Sequence, residues 1–299
     1  MSSPVLSTRA LTKQYGKITA VDHLELEVPA GVICGILGPN GSGKTTTLGM
    51  VLGVTHPTAG SFQWFGQAPS ASQRRRIGAL LETPNFYPYL HALDNLKIVA
   101  HLRRVARPDY EEALRAVNLW DRRTDAFRTY SLGMKQRLAI AGALLGRPEV
   151  LILDEPTNGL DPRGIAEVRE TIRRLGKEGQ TILMASHILD EVEKTCTHVA
   201  ILQKGKLKAS GPVGSIISPD QVVELDAPTR ESLQNWAQTL PGLRGWEVDA
   251  ETQRTILYFP DPMDLSTLNQ EAAAAGIALN WLSQRKRSLE SEFLALVED

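Results

Sequence analysis

The sequence predicts an α/β fold on a mainly parallel sheet, followed by a smaller α+β domain, and three observations carry that expectation. Short apolar strands at residues 32–37, 150–153 and 181–185 alternate with helical patterns such as 165–177, an order that builds a parallel sheet with helices packed on it. A Gly-rich loop joins the first of these strands to a helix that opens near Gly43. Charge then changes sign along the chain: residues 1–221 sum to +6 and residues 222–299 to −7. The change falls beside a turn-rich stretch with Gly211, Pro212, Gly214 and Pro219, so the domains are expected to be residues 1–220 and 221–299.

The second domain reads strand, helix, strand, strand, helix, strand, at 222–225, 230–239, 245–248, 255–259, 265–275 and 277–282, with a further helix at 289–297. That is the order of a ferredoxin-like sandwich. Trp236, Trp246 and Trp281 lie in it and are expected to fill its core.

The 299 residues suffice for a sizeable core, and 42% hydrophobic with 22% charged residues is globular rather than disordered composition. A net charge of −1 gives no overall attraction to nucleic acid or anionic lipid. The runs Arg74-Arg75-Arg76 and Arg122-Arg123 read as solvated faces; without interleaved aromatics they argue against a nucleic-acid partner. Cys34 and Cys196, the two cysteines, make no disulfide framework, which fits a reduced cytosolic chain. Residues 1–10 hold no apolar signal core, and no stretch reaches the ~20 apolar residues of a membrane span. Work at a membrane would then require another chain to hold this one there.

Gly38-Pro39-Asn40-Gly41-Ser42-Gly43-Lys44-Thr45 has the spacing G-x-x-x-x-G-K-[ST], placed between a strand and a helix as that motif requires. Its chemistry is phosphate binding. Glycines let backbone N–H groups close around phosphate oxygens, and the helix N-terminus adds favourable partial charge. Lys44 reaches the β- and γ-phosphates, and Thr45 supplies a hydroxyl to Mg²⁺. The nucleotide-binding candidates are Gly38, Asn40, Gly41, Ser42, Gly43, Lys44, Thr45 and Thr46. Asp154 and Glu155 end the apolar strand 150–153. Two carboxylates there are costly to bury unless a cation or a proton transfer uses them. Asp154 suits holding Mg²⁺ through water, and Glu155 suits polarising an attacking water. Taken alone, the pair reads equally as a solvated strand end.

With these motifs in place the chain resembles the ABC-type ATPases, and further elements follow in that family's order. Tyr130-Ser131-Leu132-Gly133-Met134 is similar to the family's signature Leu-Ser-Gly-Gly-Gln; Ser131 and Gly133 match, while Tyr130, Leu132 and Met134 depart. The resemblance implies that this loop binds the γ-phosphate of ATP held by the opposite subunit. Asn158-Gly159-Leu160-Asp161 matches the D-loop, with Asp161 as its acidic residue, and His187 after Ser186 matches the switch histidine that orients Glu155 and water. Tyr15, before Gly16, matches the aromatic that stacks on adenine. Glu82 stands where the family has a glutamine that contacts Mg²⁺ or the attacking water. Glutamate offers a charged oxygen and no N–H donor, which a metal accommodates, so the sensing role is expected to persist.

This resemblance spans residues 5–217. It implies a P-loop ABC ATPase cassette with a mainly parallel core sheet, an antiparallel β subdomain and a helical signature subdomain, binding ATP and Mg²⁺. It also implies a second copy across the ATP interface, an integral-membrane permease subunit as partner, and a place at the cytoplasmic face of the membrane. The signature together with Ser288-Leu289-Glu290-Ser291-Glu292-Phe293-Leu294 is similar to the ATP-binding subunits of two-component exporters, the group of the bacitracin and lantibiotic self-protection exporters. The aromatic stretch Phe86-Tyr87-Pro88-Tyr89-Leu90 falls where the family receives a helix of the membrane subunit; local packing is the other reading.

The competing function is a soluble ABC-type ATPase in macromolecular assembly. Ribosome-acting relatives carry two cassettes in one chain, and DNA-end relatives insert coiled coils, whereas residues 46–130 hold no sustained heptads. A dead scaffold is disfavoured by the presence of Lys44, Asp154, Glu155 and His187 together.

Overall fold

The chain opens on alternating sequence. Leu6 and Thr8 of β1 (Leu6–Tyr15) are buried while Arg9 is exposed, the period-two pattern of a strand with one face on a core, and after an irregularity at Ala10 the buried face resumes at Leu11. β1 pairs antiparallel with β2 (Ile18–Leu24) and with the short β3 (Glu27–Val28). β4 (Ile33–Leu37) follows, buried along its whole length, and runs through the Gly-rich loop into α1 (Lys44–Val51). β5 (Ala59–Trp64) returns to pair antiparallel with β1 and completes an antiparallel β subdomain. The structure is a computed structural model that describes residues 4–81, 84–216, 221–250, 252–285, 289–290 and 292–293.

A short helix α2 (Ala71–Arg75) leads into β6 (Ile77–Leu80). Three helices then form the helical subdomain: α3 (Ala92–Leu102), α4 (Tyr110–Arg115) and α5 (Leu132–Leu144). The chain re-enters the sheet at β7 (Val150–Asp154), crosses α6 (Pro162–Lys177) to β8 (Thr181–Ser186), and crosses α7 (Leu189–Thr195) to β9 (His198–Gln203) and β10 (Lys206–Pro212). The core sheet has the order β10-β9-β4-β8-β7-β6, parallel except for the edge strand β10. β4, β7 and β8 are buried throughout and read as unbroken apolar runs because both faces of a parallel sheet are covered. Burial pushes the Cys34 thiol on β4 up to about 12. Trp64 seals the core below α1 and donates its indole N–H to Val51 O at 2.7 Å.

Two compact units make up the chain, Met1–Val213 and Gly214–Asp299. The single-turn helix α8 (Val213–Ile216) spans the boundary, and the second unit holds β11 (Gln221–Asp226), α9 (Arg230–Ala237), β12 (Gly245–Val248), β13 (Thr255–Phe259), α10 (Leu265–Ala274) and β14 (Trp281–Arg285). Its antiparallel sheet has the order β12-β13-β11-β14, that of the ferredoxin-like sandwich. Val223, Leu225, Leu257 and Phe259 meet Leu233, Ala237 and Leu268 of the two helices in its core.

Two expectations for this unit are corrected. The last strand is not 277–282 but Trp281–Arg285. Ile277 closes α10 by donating its N–H to Ala272 O, and Ile277 and Leu279 cover the core from a connection, so an apolar run stood in for a strand. Trp236 and Trp246 pack on the core as expected, but Trp281 does not; it is 43% exposed. It pairs with Asp226, the neighbour of core-facing Leu225, and period two turns it to the opposite sheet face. There the Arg254 guanidinium lies 3.9 Å over its ring. Of the expected helix at 289–297, residues 289, 290, 292 and 293 are helical and the others lie outside the described residues.

Candidate functional site

Strand register gathers the candidates. Leu37 pairs with Ser186, and Asp154 pairs with Ala185, so the carboxyl ends of β4, β8 and β7 finish at one edge of the sheet. The Gly-rich loop, His187 and Glu155 leave from that edge, where open α/β sheets bind ligands.

The loop is shaped by close approaches. At Gly43 φ is +102°, and a Cβ would strike Ala20 O of β2; at Gly38 a Cβ would strike Leu202 O and Ser42 Oγ. Gly43 is also the N-cap of α1 and offers no side chain to accept a hydrogen bond from the first-turn amides. Those amides are open to an anion. Ser42 is 2% exposed and its Oγ has no hydrogen-bond partner among the described residues, an orphaned polar atom that a phosphate oxygen would satisfy. Lys44 is buried and its ammonium donates to Gly38 O at 2.7 Å and Pro39 O at 3.2 Å. Thr45 is exposed and Thr46 half-buried on the same turn, while Asn40 and Gly41 form the exposed rim.

The second shell of charge comes from the end of β7. Asp154 is 4% exposed. Glu155 adopts φ of +47°, uncommon for a residue with a side chain, with its N–H donating to Ala185 O at 3.1 Å. The turn aims its carboxylate at two partners. Oε1 lies 3.6 Å from Lys44 Nζ, and Oε2 lies 2.9 Å from His187 Nδ1. A carboxylate only accepts, so Nδ1–H is the donor. Lys44, Glu155 and His187 are thus joined in one polar chain. The Tyr15 ring, 48% exposed at the tip of the β1–β2 hairpin, has Lys13 Nζ 4.9 Å from its centroid.

The signature-like and D-loop-like segments are helix N-termini of a different kind. Ser131 caps α5, its Oγ accepting from Met134 N at 3.2 Å, and Asp161 caps α6, its Oδ1 accepting from Gly164 N at 2.8 Å. Tyr130 is buried and donates its hydroxyl to Arg122 O at 2.7 Å; burial pushes its phenol up to about 12. Leu132 is 45% exposed beside this cap. Gly133 lies against Gly164 of α6, and buried Arg137 of α5 donates to Glu167 of α6 at 2.9 Å. Glu82 lies outside the described residues.

Sequence reasoning overlooked the burial of Ser42, the Lys44–Glu155 contact and the α5–α6 junction. Only the last left a trace, a glycine in the first turn of an otherwise strongly amphipathic helix. A cleft of about 1260 Å³ bordered by Arg74, Arg104, Arg107 and Arg147 contains none of the nucleotide candidates. The Arg runs are also more engaged than expected. Arg76 pairs with Glu149 over the Phe65 ring, Arg122 pairs with Asp125, and Arg123 lies over Trp120.

A phosphate loop at the head of a parallel strand, with a carboxylate and an imidazole at the neighbouring strand ends, defines a nucleotide-hydrolysing enzyme. The chain belongs to the ABC transporter family: residues 21–158 match the family described as ABC transporter. It is 35% identical over 299 residues to the bacitracin transport ATP-binding protein BcrA of Enterococcus faecalis, covering 98% of this chain and 96% of that protein. It is 34% identical over 307 residues to the Nod factor export ATP-binding protein I of Ralstonia nicotianae, covering 99% and 94%. The solved structure of cbiO1 from Clostridium perfringens, part of the ABC transporter complex cbiONQ, superposes with a TM-score of 0.64 at 27% identity, covering 71% of this chain and 89% of that one. The protein is an ATP-binding and ATP-hydrolysing transporter subunit with an ABC ATPase cassette. No helix among the described residues is long and apolar enough to cross a membrane.

Proposed function

We propose that two copies of this chain close head to tail around two ATP molecules and power export through an integral-membrane permease subunit. The observation that carries the reading is the convergence of Lys44, Glu155 and His187 on the uncapped N-terminus of α1. Backbone N–H groups from Gly38 and Asn40 through Thr46 hold phosphate, and Lys44 exchanges its contacts with Gly38 O and Pro39 O for phosphate oxygens. The Tyr15 face receives adenine. Thr45 and Asp154 supply oxygen donors of the kind Mg²⁺ prefers; when bound, that ion offsets charge on the phosphate oxygens. Glu155 orients and polarises the attacking water, and His187 fixes the carboxylate through Nδ1. Glu82 takes the sensing place of the family's glutamine.

Each chain carries both a phosphate loop and a signature segment, and one nucleotide cannot touch both in one chain. Ser131 and Gly133 therefore serve the γ-phosphate bound by the opposite copy, with the Asp161 loop beside them. Tyr87 and Tyr89, 50% and 70% exposed, offer apolar contact to the permease, and its docking holds the chain at the cytoplasmic face of the membrane. Likeness to a bacitracin transport and a Nod factor export protein supports export as the direction.

Glu155→Gln tests the reading. Hydrolysis is expected to fall by roughly 10²–10⁴-fold, the usual worth of a general base, and light scattering with ATP should show an accumulated dimer. Hydrolysis at the wild-type rate would remove Glu155 from the mechanism.

A further inference from the structure

Gly164 is the third residue of α6, where glycine costs about 1 kcal/mol relative to alanine. Its φ lies outside the left-handed region, so conformational freedom does not account for it. Space does. A Cβ on Gly133 would lie 3.2 Å from Gly164 Cα, so the first turns of α5 and α6 touch backbone to backbone. A Cβ on Gly164 would lie 2.8 Å from Asp161 Oδ1 and 3.7 Å from Gly133 Cα. Any side chain there displaces the carboxylate that caps α6, and a larger one meets the signature turn.

Two further contacts lock the same pair of helices. Arg137 of α5 is buried, which lowers its guanidinium from the usual value, and it reaches Glu167 Oε2 of α6 at 2.9 Å; Glu167 Oε1 also holds Arg163 at 3.1 Å. Leu132 Cδ2, next to Ser131, lies 3.8 Å from where a Gly159 Cβ would be, so the signature segment also rests on the loop before α6. That loop begins at Glu155, whose carbonyl accepts from Asn158 N at 3.1 Å, and it ends six residues later at the Asp161 cap.

We propose that Gly164 is a positioning residue that couples the two ATP sites. By letting α5 and α6 touch, it makes the Glu155–Asp161 loop of a chain's own site and the Ser131 cap that faces the opposite site move as one block. This rests on the head-to-tail pairing proposed above. Gly164 contacts no nucleotide; it acts through Asp161 and Gly133.

The test uses the full chain in the Glu155→Gln background, comparing Gly164→Ala and Gly164→Leu. Binding of a fluorescent ATP analogue to the isolated chain is expected to be unchanged, because the phosphate loop is untouched. ATP-driven pairing, read by light scattering, should weaken several-fold with Ala, which displaces the Asp161 cap, and about tenfold or more with Leu, which also overpacks the contact with Gly133. Without Glu155→Gln, Gly164→Ala should lower kcat and the Hill coefficient for ATP while leaving nucleotide affinity alone. Undiminished pairing and an unchanged Hill coefficient would overturn the proposal. So would weakened analogue binding that tracks the loss of pairing, since that marks a merely structural role. If Leu prevents folding, the Ala variant decides. If Glu155→Gln alone fails to pair with ATP, the head-to-tail reading falls first and this one with it.

Discussion

Helix α1 and the pair α5 and α6 all begin at segments that the sequence assigns to nucleotide, yet they begin in opposite ways. At α1 the cap is Gly43 in the left-handed region, which has no side chain to accept from the first turn, and Ser42 Oγ is buried without a partner among the described residues. At α5 and α6 the hydroxyl of Ser131 and the carboxylate of Asp161 already accept first-turn amides. An uncapped N-terminus leaves its first-turn amides for a ligand, the place the proposed site gives to phosphate. The capped helices are complete without ligand and are fixed to each other at Gly133 and Gly164. In the proposed dimer one end takes phosphate and the other two present preformed surfaces.

The largest way to break this comparison is Lys44→Ala. It removes the buried ammonium beside the uncapped turn, and charge-assisted hydrogen bonds are worth about 1.5–3 kcal/mol each. Nucleotide affinity measured by titration should fall about 100-fold, with Ser131 and Asp161 intact; retained affinity would show that the amides of α1 suffice. Next is Tyr15→Ala, which tests whether the base is held apart from the phosphates. An aromatic stack of about 0.5–1.5 kcal/mol predicts a roughly 2–10-fold weaker Kd for ATP and little change for inorganic triphosphate. The smallest effect sharpens the contrast itself. Ser131→Ala should cost about 1 kcal/mol in urea unfolding, the worth of an N-cap, yet leave the isolated chain's nucleotide affinity where it was. A drop in that affinity would mean that α5 serves its own chain's site.

The first unit was more legible than the second for a physical reason. Its central strands β4, β7 and β8 are buried on both faces and its loops carry motifs whose spacing is imposed by phosphate geometry, so residues 38–45 and 150–155 announce themselves. In the second unit the sandwich order is readable from the sequence, but apolar Ile277 and Leu279 in a connection mimic the strand that the structure places at β14, and Trp281 reads as core although it is exposed. Hydrophobicity reports burial; it does not report which strand partner sets the register.

The sequence by itself determined the phosphate loop, the two acids at the end of an apolar strand, the segments around Ser131, Asp161 and His187, and the alternation that makes a parallel sheet. Each is a local property, fixed by residue type and spacing over a few positions. Only tertiary structure decided that Leu37, Asp154 and Ser186 end at one edge, and that Glu155 turns through φ of +47° to face both Lys44 and His187. It also decided that Gly133 lies against Gly164, and that a Cβ on Gly164 would crowd the capping Asp161 Oδ1 at 2.8 Å. Those facts depend on strand register and helix crossing between segments from 31 to 149 residues apart, and the chain encodes such distances only through packing.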